Sequence, residues 1–333
     1  DIAWAGSARV DGNTDLIDVD RGVTMTSVQA DGTVNGATAD HLRAKLALRP
    51  TTHPAHAAGE SAAAAALAAA AAATRPAKPG QPQVTLMAGK EIAAATLTGK
   101  VEVKSELPGP NNTVARGLNL YSTILTYDRA TGRLEVPAAG QMLYQDHRPA
   151  GAEASEGPTV GSGRGRTAFE WKNWLVYDPG VQAASLNGDV RVVHWPDANG
   201  GQPFNLNAMT LTAYLEPDPA AAGAKAGAAP ALPAAAPLAA AAPATSPVDA
   251  ATKLRLRQVT AAGDVSVTSQ RLNFTSANLA YHPLEQVLTA TGGPAGPVTV
   301  VDNQTGSQTA ADELRWNTKT DQFRIRNLSG KVR

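Results

Sequence analysis

The chain has 333 residues, 29 basic and 29 acidic side chains, 5% aromatic residues and no cysteine. Balanced charge excludes a nucleic-acid partner held by a basic surface and a polybasic membrane anchor, and the missing cysteine excludes disulfides, thiolate metal sites, iron–sulfur clusters and thiol catalysis. The hydrophobic fraction is 43%, but much of it is alanine, which buries little area per residue, so the expected core is lean.

In chain order, residues 1–49 carry Trp4, a Gly22-Val23 pair and an alternating run from Ala39 to Leu46, which predicts strands with one apolar face. The start at Asp1, without an initiator Met or a basic-then-apolar leader, reads as a mature product or an excised piece. Residues 50–83 are rich in alanine and proline; even their polyalanine run is too short for a stable isolated helix or a membrane span. Residues 84–170 alternate again through Leu97-Thr98-Gly99-Lys100-Val101-Glu102-Val103, and Tyr127 to Val136 places an Asp/Thr/Gly turn between two such runs, a hairpin signal. Residues 171–218 open at Trp171, pass through Leu186-Asn187-Gly188-Asp189-Val190-Arg191-Val192 and close on Met209 to Leu215. Residues 219–251 form a second Ala/Pro/Gly tract whose prolines forbid a helix. Residues 252–315 contain Ala261-Ala262-Gly263-Asp264-Val265-Ser266-Val267 and a turn at Asp302 to Gly306, and 316–333 begin at Trp316.

These elements repeat. A Gly-x-Val pattern stands at Gly99, Gly188, Gly263 and Gly330, with a shortened form at Gly22-Val23, and Trp4, Trp171 and Trp316 each open a hairpin that ends on one of the glycines. The runs Ala39–Leu46 and Met209–Leu215 each lead into a low-complexity tract. The expected organisation is one unit over 1–49 and 84–170, a second over 171–218 and 252–315, and a third unit or terminal cap over 316–333. The segments 50–83 and 219–251 become insertions at equivalent hairpin tips. The fold class is all-β, built of tandem antiparallel hairpins.

One spaced series resembles a known family. Ala262-Gly263-Asp264-Val265, Leu279-Ala280-Tyr281, Leu288 to Gly292, Val298-Thr299-Val300-Val301-Asp302 and Thr309-Ala310-Ala311-Asp312-Glu313-Leu314 follow one another as in the OstA/LptA-like family of lipopolysaccharide-transport proteins. Gly99-Lys100-Val101, Leu125-Thr126-Tyr127-Asp128, Thr131-Gly132-Arg133-Leu134 and Gly140 match more loosely. The resemblance implies a folded-over sheet, a β-jellyroll or β-taco slot, whose apolar interior holds the acyl chains of lipopolysaccharide or another acylated lipid. It also implies a periplasmic location, outer-membrane association, and partners that are other β-jellyroll transport proteins joined by edge-strand stacking. The two insertions and the fusion of units depart from the family pattern.

Inward β-branched residues would give a wall along which acyl chains slide, each buried methylene worth roughly 0.8 kcal/mol. The lipid-groove candidates are Val101, Val103, Val190, Val192, Val265 and Val267, on strands of period two. Simple core packing is the competing role of each. The repeated glycines either bend the strands or leave room for lipid. No catalytic residue, metal ligand or cofactor is expected: Gly161 to Thr167 lacks the Gly-Lys-Ser/Thr ending of a phosphate loop, and His41, His53, His56, His147, His194 and His282 show no ligand spacing. Adjacent Asp312 and Glu313 should point to opposite faces of a strand. The leading expectation is a lipid-binding transport bridge, not an enzyme; the alternative is a structural envelope or surface β-repeat protein with a side-chain-filled interior.

Overall fold

The computed structural model describes residues 2–29, 32–48, 90–110, 113–147, 165–197, 203–217 and 254–328. The six candidate valines lie among these; the two low-complexity tracts, Gly330, His53 and His56 lie outside them. Alternating apolar and polar residues form eighteen strands in one sheet: β1 (Ile2–Ala3), β2 (Ser7–Asp11), β3 (Leu16–Val28), β4 (Val34–Leu48), β5 (Lys90–Pro108), β6 (Val114–Asp128), β7 (Arg133–Val136), β8 (Gly140–Asp146), β9 (Gly165–Trp171), β10 (Trp174–Asp178), β11 (Ala183–Pro196), β12 (Phe204–Pro217), β13 (Leu254–Ser269), β14 (Leu272–His282), β15 (Val287–Thr291), β16 (Val298–Asp302), β17 (Gln308–Asn317) and β18 (Gln322–Leu328). The all-β class is as the sequence predicts.

The pairing is an antiparallel meander. Four pairs of short strands, β1 with β2, β7 with β8, β9 with β10 and β15 with β16, each share one long neighbour and so act as a single interrupted rib. The resulting fourteen ribs, spaced by about 4.8 Å, make a sheet about 60 Å long.

A line of irregularity runs across the long ribs β3 to β6 and β11 to β14. Register shifts fall at Asp20/Val23 on β3, Thr98/Val101 on β5, Asn187/Val190 on β11 and Ala262/Val265 on β13. These are the glycine motifs of the sequence, now seen as β-bulges. The breaks within the interrupted ribs fall on the same line. The N–H groups of Ala5 and Gly6 both donate to the Arg21 carbonyl, those of Lys172 and Asn173 donate to the Gly188 and Asn187 carbonyls, and Gly292 donates to Asp312. At Gly99, φ is +95° and an added Cβ would run into the Asp40 side chain, whose Oδ2 accepts a hydrogen bond of 3.0 Å from the Lys100 N–H. Gly188 has φ +85°, and a Cβ there would lie 2.5 Å from Asn173 Cγ.

The line is a crease. On the glycine strands the inward residues flanking it are four apart, as in Leu97 and Val101 or Leu186 and Val190, whereas on their partners they are three apart, as in Ala39 and Leu42 or Ala208 and Leu211. An odd step cannot come from simple alternation. It leaves Asp40 and His41 both facing outward, so the alternation predicted over Ala39–Leu46 breaks at its second residue. Asp312 and Glu313 are likewise both outside, between the buried Ala311 and Leu314, and not on opposite faces. They have separate partners, Asn327 at 3.1 Å and Arg326 at 3.8 Å.

The crease divides the sheet into two walls. The A wall holds the rib halves around 41–48, 90–98, 210–217 and 254–262; the B wall holds those around 34–39, 101–108, 204–208 and 265–269. Residues of one face of both walls belong to a single apolar cluster, and no helix or second sheet covers that face among the described residues. The walls therefore cover each other, as packed sheets do at about 10 Å. Both low-complexity tracts leave from the outer rim of the A wall, where Leu48 pairs with Lys90 and Pro217 with Leu254. Each of these hairpins carries a second register shift at the same place, Lys45/Leu46 and Tyr214/Leu215.

Register also separates the three tryptophans. Trp171 ends β9 at the crease, packs over Gly140 and donates its indole N–H to the Ala138 carbonyl at 2.9 Å. Trp316 instead pairs with Leu288, as Tyr177 pairs with Leu134. It lies inside the A wall and is not the counterpart of Trp171.

Candidate functional site

The six valines singled out in the sequence come together on the B wall. Val101, Val190 and Val265 stand in the inward row next to the crease, and Val103, Val192 and Val267 in the next row out. Each is 0–4% exposed. The interior in this form is closed, filled by the side chains of both walls.

Opposite them the A wall presents a ladder that period-two reasoning missed. Leu42, Leu97 and Leu125 are successive partners in register, as are Val136, Leu175 and Leu186 and then Leu211, Ala261, Leu279, Ala290 and Leu314, the two runs meeting where Thr126 pairs with Glu135. All are nearly inaccessible. Its sequence signal is a leucine or alanine four residues before the first valine of a glycine motif, as at Leu97, Leu186 and Ala261.

The third inward row of the B wall changes character. Val23, Val101, Val190 and Val265 are each followed four residues later by a polar side chain: Ser27, Ser105, His194 and Ser269. Asn35, between Ser27 and Ser105, and Thr167, beside His194, join the row. All six are buried. At the same depth the A wall remains apolar, with Leu46 and Ile92 paired and buried. The A wall is thus largely apolar, with the buried Tyr127, Tyr177 and Tyr281 in its second row, and the B wall carries a polar lip in which Leu118, Tyr144 and Phe204 are interspersed.

Within the lip, the middle is internally satisfied. Thr167 Oγ1 and His194 Nδ1 lie 2.9 Å apart, and the imidazole packs on the Phe204 ring at a centroid distance of 5.3 Å. Burial pushes the His194 imidazole below its usual pKa, against a weaker upward pull from Asp197. Asp197 itself pairs with His147 at 3.0 Å. The first ribs differ: the Ser27 hydroxyl and both ends of the Asn35 amide are buried without a hydrogen-bond partner.

Among the described residues no group of three or more His, Asp or Glu is placed to hold a metal ion. His41 is engaged with Asp20 at 2.6 Å on the outer face. Of the glycine-rich run Gly161–Thr167, only Gly165 to Thr167 are described, and they begin β9. No helix among the described residues is long and apolar enough to cross a membrane. Neither a protein-family model nor a curated protein matches this chain.

Proposed function

We propose that the protein is a lipid-binding transport bridge of the periplasm, holding the acyl chains of lipopolysaccharide or a similar acylated lipid between the two walls. The observation that carries this is the composition of the interior. Two largely apolar walls run the length of the sheet, and one bears buried polar side chains at its rim, so the slot suits an amphiphile with its chains deep and its polar part shallow. Closure in the absence of lipid follows from the hydrophobic effect, since two bare apolar faces in water collapse on each other. All strand pairings run along the meander and none bridges the rims among the described residues. Lipid therefore needs to displace side-chain contacts only, with no backbone hydrogen bonds to break. The end strands β2 and β18 offer edges for stacking against other β-jellyroll proteins.

A second reading, a structural β-repeat with a filled interior, is favoured by the near-zero exposure of the wall residues. It leaves the buried, unpartnered Ser27 and Asn35 without a purpose, because a purely structural core gains by replacing such groups with apolar ones. Native mass spectrometry of protein purified from a Gram-negative envelope separates the two. Copurified acylated lipid is the expected result; a chain that stays lipid-free and also takes up no added amphiphile is structural.

A further inference from the structure

We infer that Asn35, flanked by Ser27 and Ser105, forms a recognition point for the neutral carbonyl linkage of an acyl chain, an ester or amide group, inside the first ribs of the slot. The inference rests on the lipid reading above and specifies which part of the lipid this end of the slot reads. Ser27, Asn35 and Ser105 are consecutive register partners on β3, β4 and β5. Side chains directly opposite in such a ladder have Cβ atoms about 5 Å apart, so the three converge on one group. Asn35 is 1% exposed and alternates with the inward Ala37 and Ala39, which aims its amide between the walls. Neither its Nδ2 nor its Oδ1 has a partner, and the Ser27 hydroxyl is equally alone. A buried amide left without hydrogen bonds is strongly unfavourable, so the site calls for a ligand carbonyl that accepts from Nδ2, to which an amide linkage would add an N–H donor for Oδ1.

The chemistry selects the ligand group. No charged side chain belongs to the trio, which argues against phosphate or carboxylate; an amide and two hydroxyls suit a neutral carbonyl. Ala37 with Met25, and Ala39 with Val23, lie deeper toward the crease, so a chain attached to that carbonyl continues into apolar surroundings. The equivalent row on β9 and β11 is already closed by the Thr167 and His194 contact, which makes the first ribs the selective end.

The test uses the full chain and two probes of equal chain length: 1-monooleoylglycerol, with an ester carbonyl, and 1-O-oleylglycerol, the ether without it. The wild-type chain should bind the ester about tenfold more tightly, and Asn35→Leu, of the same branched outline, should bind both probes alike at the ether's affinity. Asn35→Leu should also unfold at higher denaturant, since it removes an unsatisfied buried amide. Should that variant fail to fold, Ser27→Ala with Ser105→Ala gives the same readout, with discrimination reduced by several-fold. Equal binding of ester and ether by the wild type overturns the inference while leaving the lipid slot intact. Discrimination that survives in the variants overturns it as well, and a loss of stability in Asn35→Leu with unchanged discrimination assigns the amide to a buried water. Failure of the wild type to bind either probe rejects the lipid slot itself and the inference with it.

Discussion

Gly99 marks the place where one missing methyl group decides the course of a strand. Its positive φ and the closeness of Asp40 leave no low-energy conformation for a side chain, and the Asp40 carboxylate is already committed to the Lys100 N–H. Gly99→Ala should destabilise the fold by about 2 kcal/mol, measured by urea unfolding. Asp40→Ala in the same chain should recover only part of this, because the strained φ remains. His194 supplies a pH-dependent term of known sign. Its neutral form is favoured by burial, so the unfolded chain takes up the proton first as the pH falls. Stability from this group is complete above about pH 6.5 and is lost progressively below it, toward the folded-state pKa. The urea midpoint of the wild type should therefore fall between pH 6.5 and 5 more steeply than that of a His194→Leu, Thr167→Val double variant, in which the hydrogen-bonded pair is replaced as a unit. Parallel slopes for the two chains would show that His194 titrates as it does unfolded.

At the scale of the element, the hairpin β12–β13 shows what could be read from the chain and what could not. Strand alternation, the turns after Asp128 and Asp302, and the Gly-x-Val series were legible because each depends on local chemistry. The crease was not, since a step of four residues between Leu97 and Val101 keeps the period of two intact and hides the corner. On β4 and β12 the step of three breaks the period, and Asp40 with His41 then looks like a lapse in the pattern. Half of the candidate site was legible for the same reason. The six valines belong to one wall, while the leucine row opposite and the polar lip needed the register of neighbouring strands to become rows. The tip of β12–β13 is also testable. Pro217 and Leu254 are paired partners, so a four-residue Gly-containing turn replacing 218–253 closes the same hairpin. Shortening the connection by roughly three doublings should stabilise the sheet by about 2 kcal/mol through loop-closure entropy. A higher thermal midpoint with an unchanged far-ultraviolet spectrum is the expected result, and loss of strand signal would show that the tract is needed for folding.

For the whole molecule, the decisive property is that the two walls are joined by backbone only along the crease, while their far rims meet through side chains. Such a hinge opens at the rim first and by the largest amount there. The absence of cysteine lets a pair of spin labels be placed without background. Leu48, on the A-wall rim, and Val28, on the B-wall rim, are 75% and 69% exposed, so labels at both leave the interior untouched. If lipid enters between the walls, the distance between a Leu48→Cys label and a Val28→Cys label should lengthen by several ångströms when the chain is loaded with an acylated lipid, since methylene chains must fit where side chains now touch. A control pair on one wall, Val28→Cys with Val34→Cys, should stay fixed because β3 and β4 are hydrogen-bonded there. Binding of lipid with no change in the cross-wall distance would place the lipid on the outside of the sheet and return the interior to a structural core.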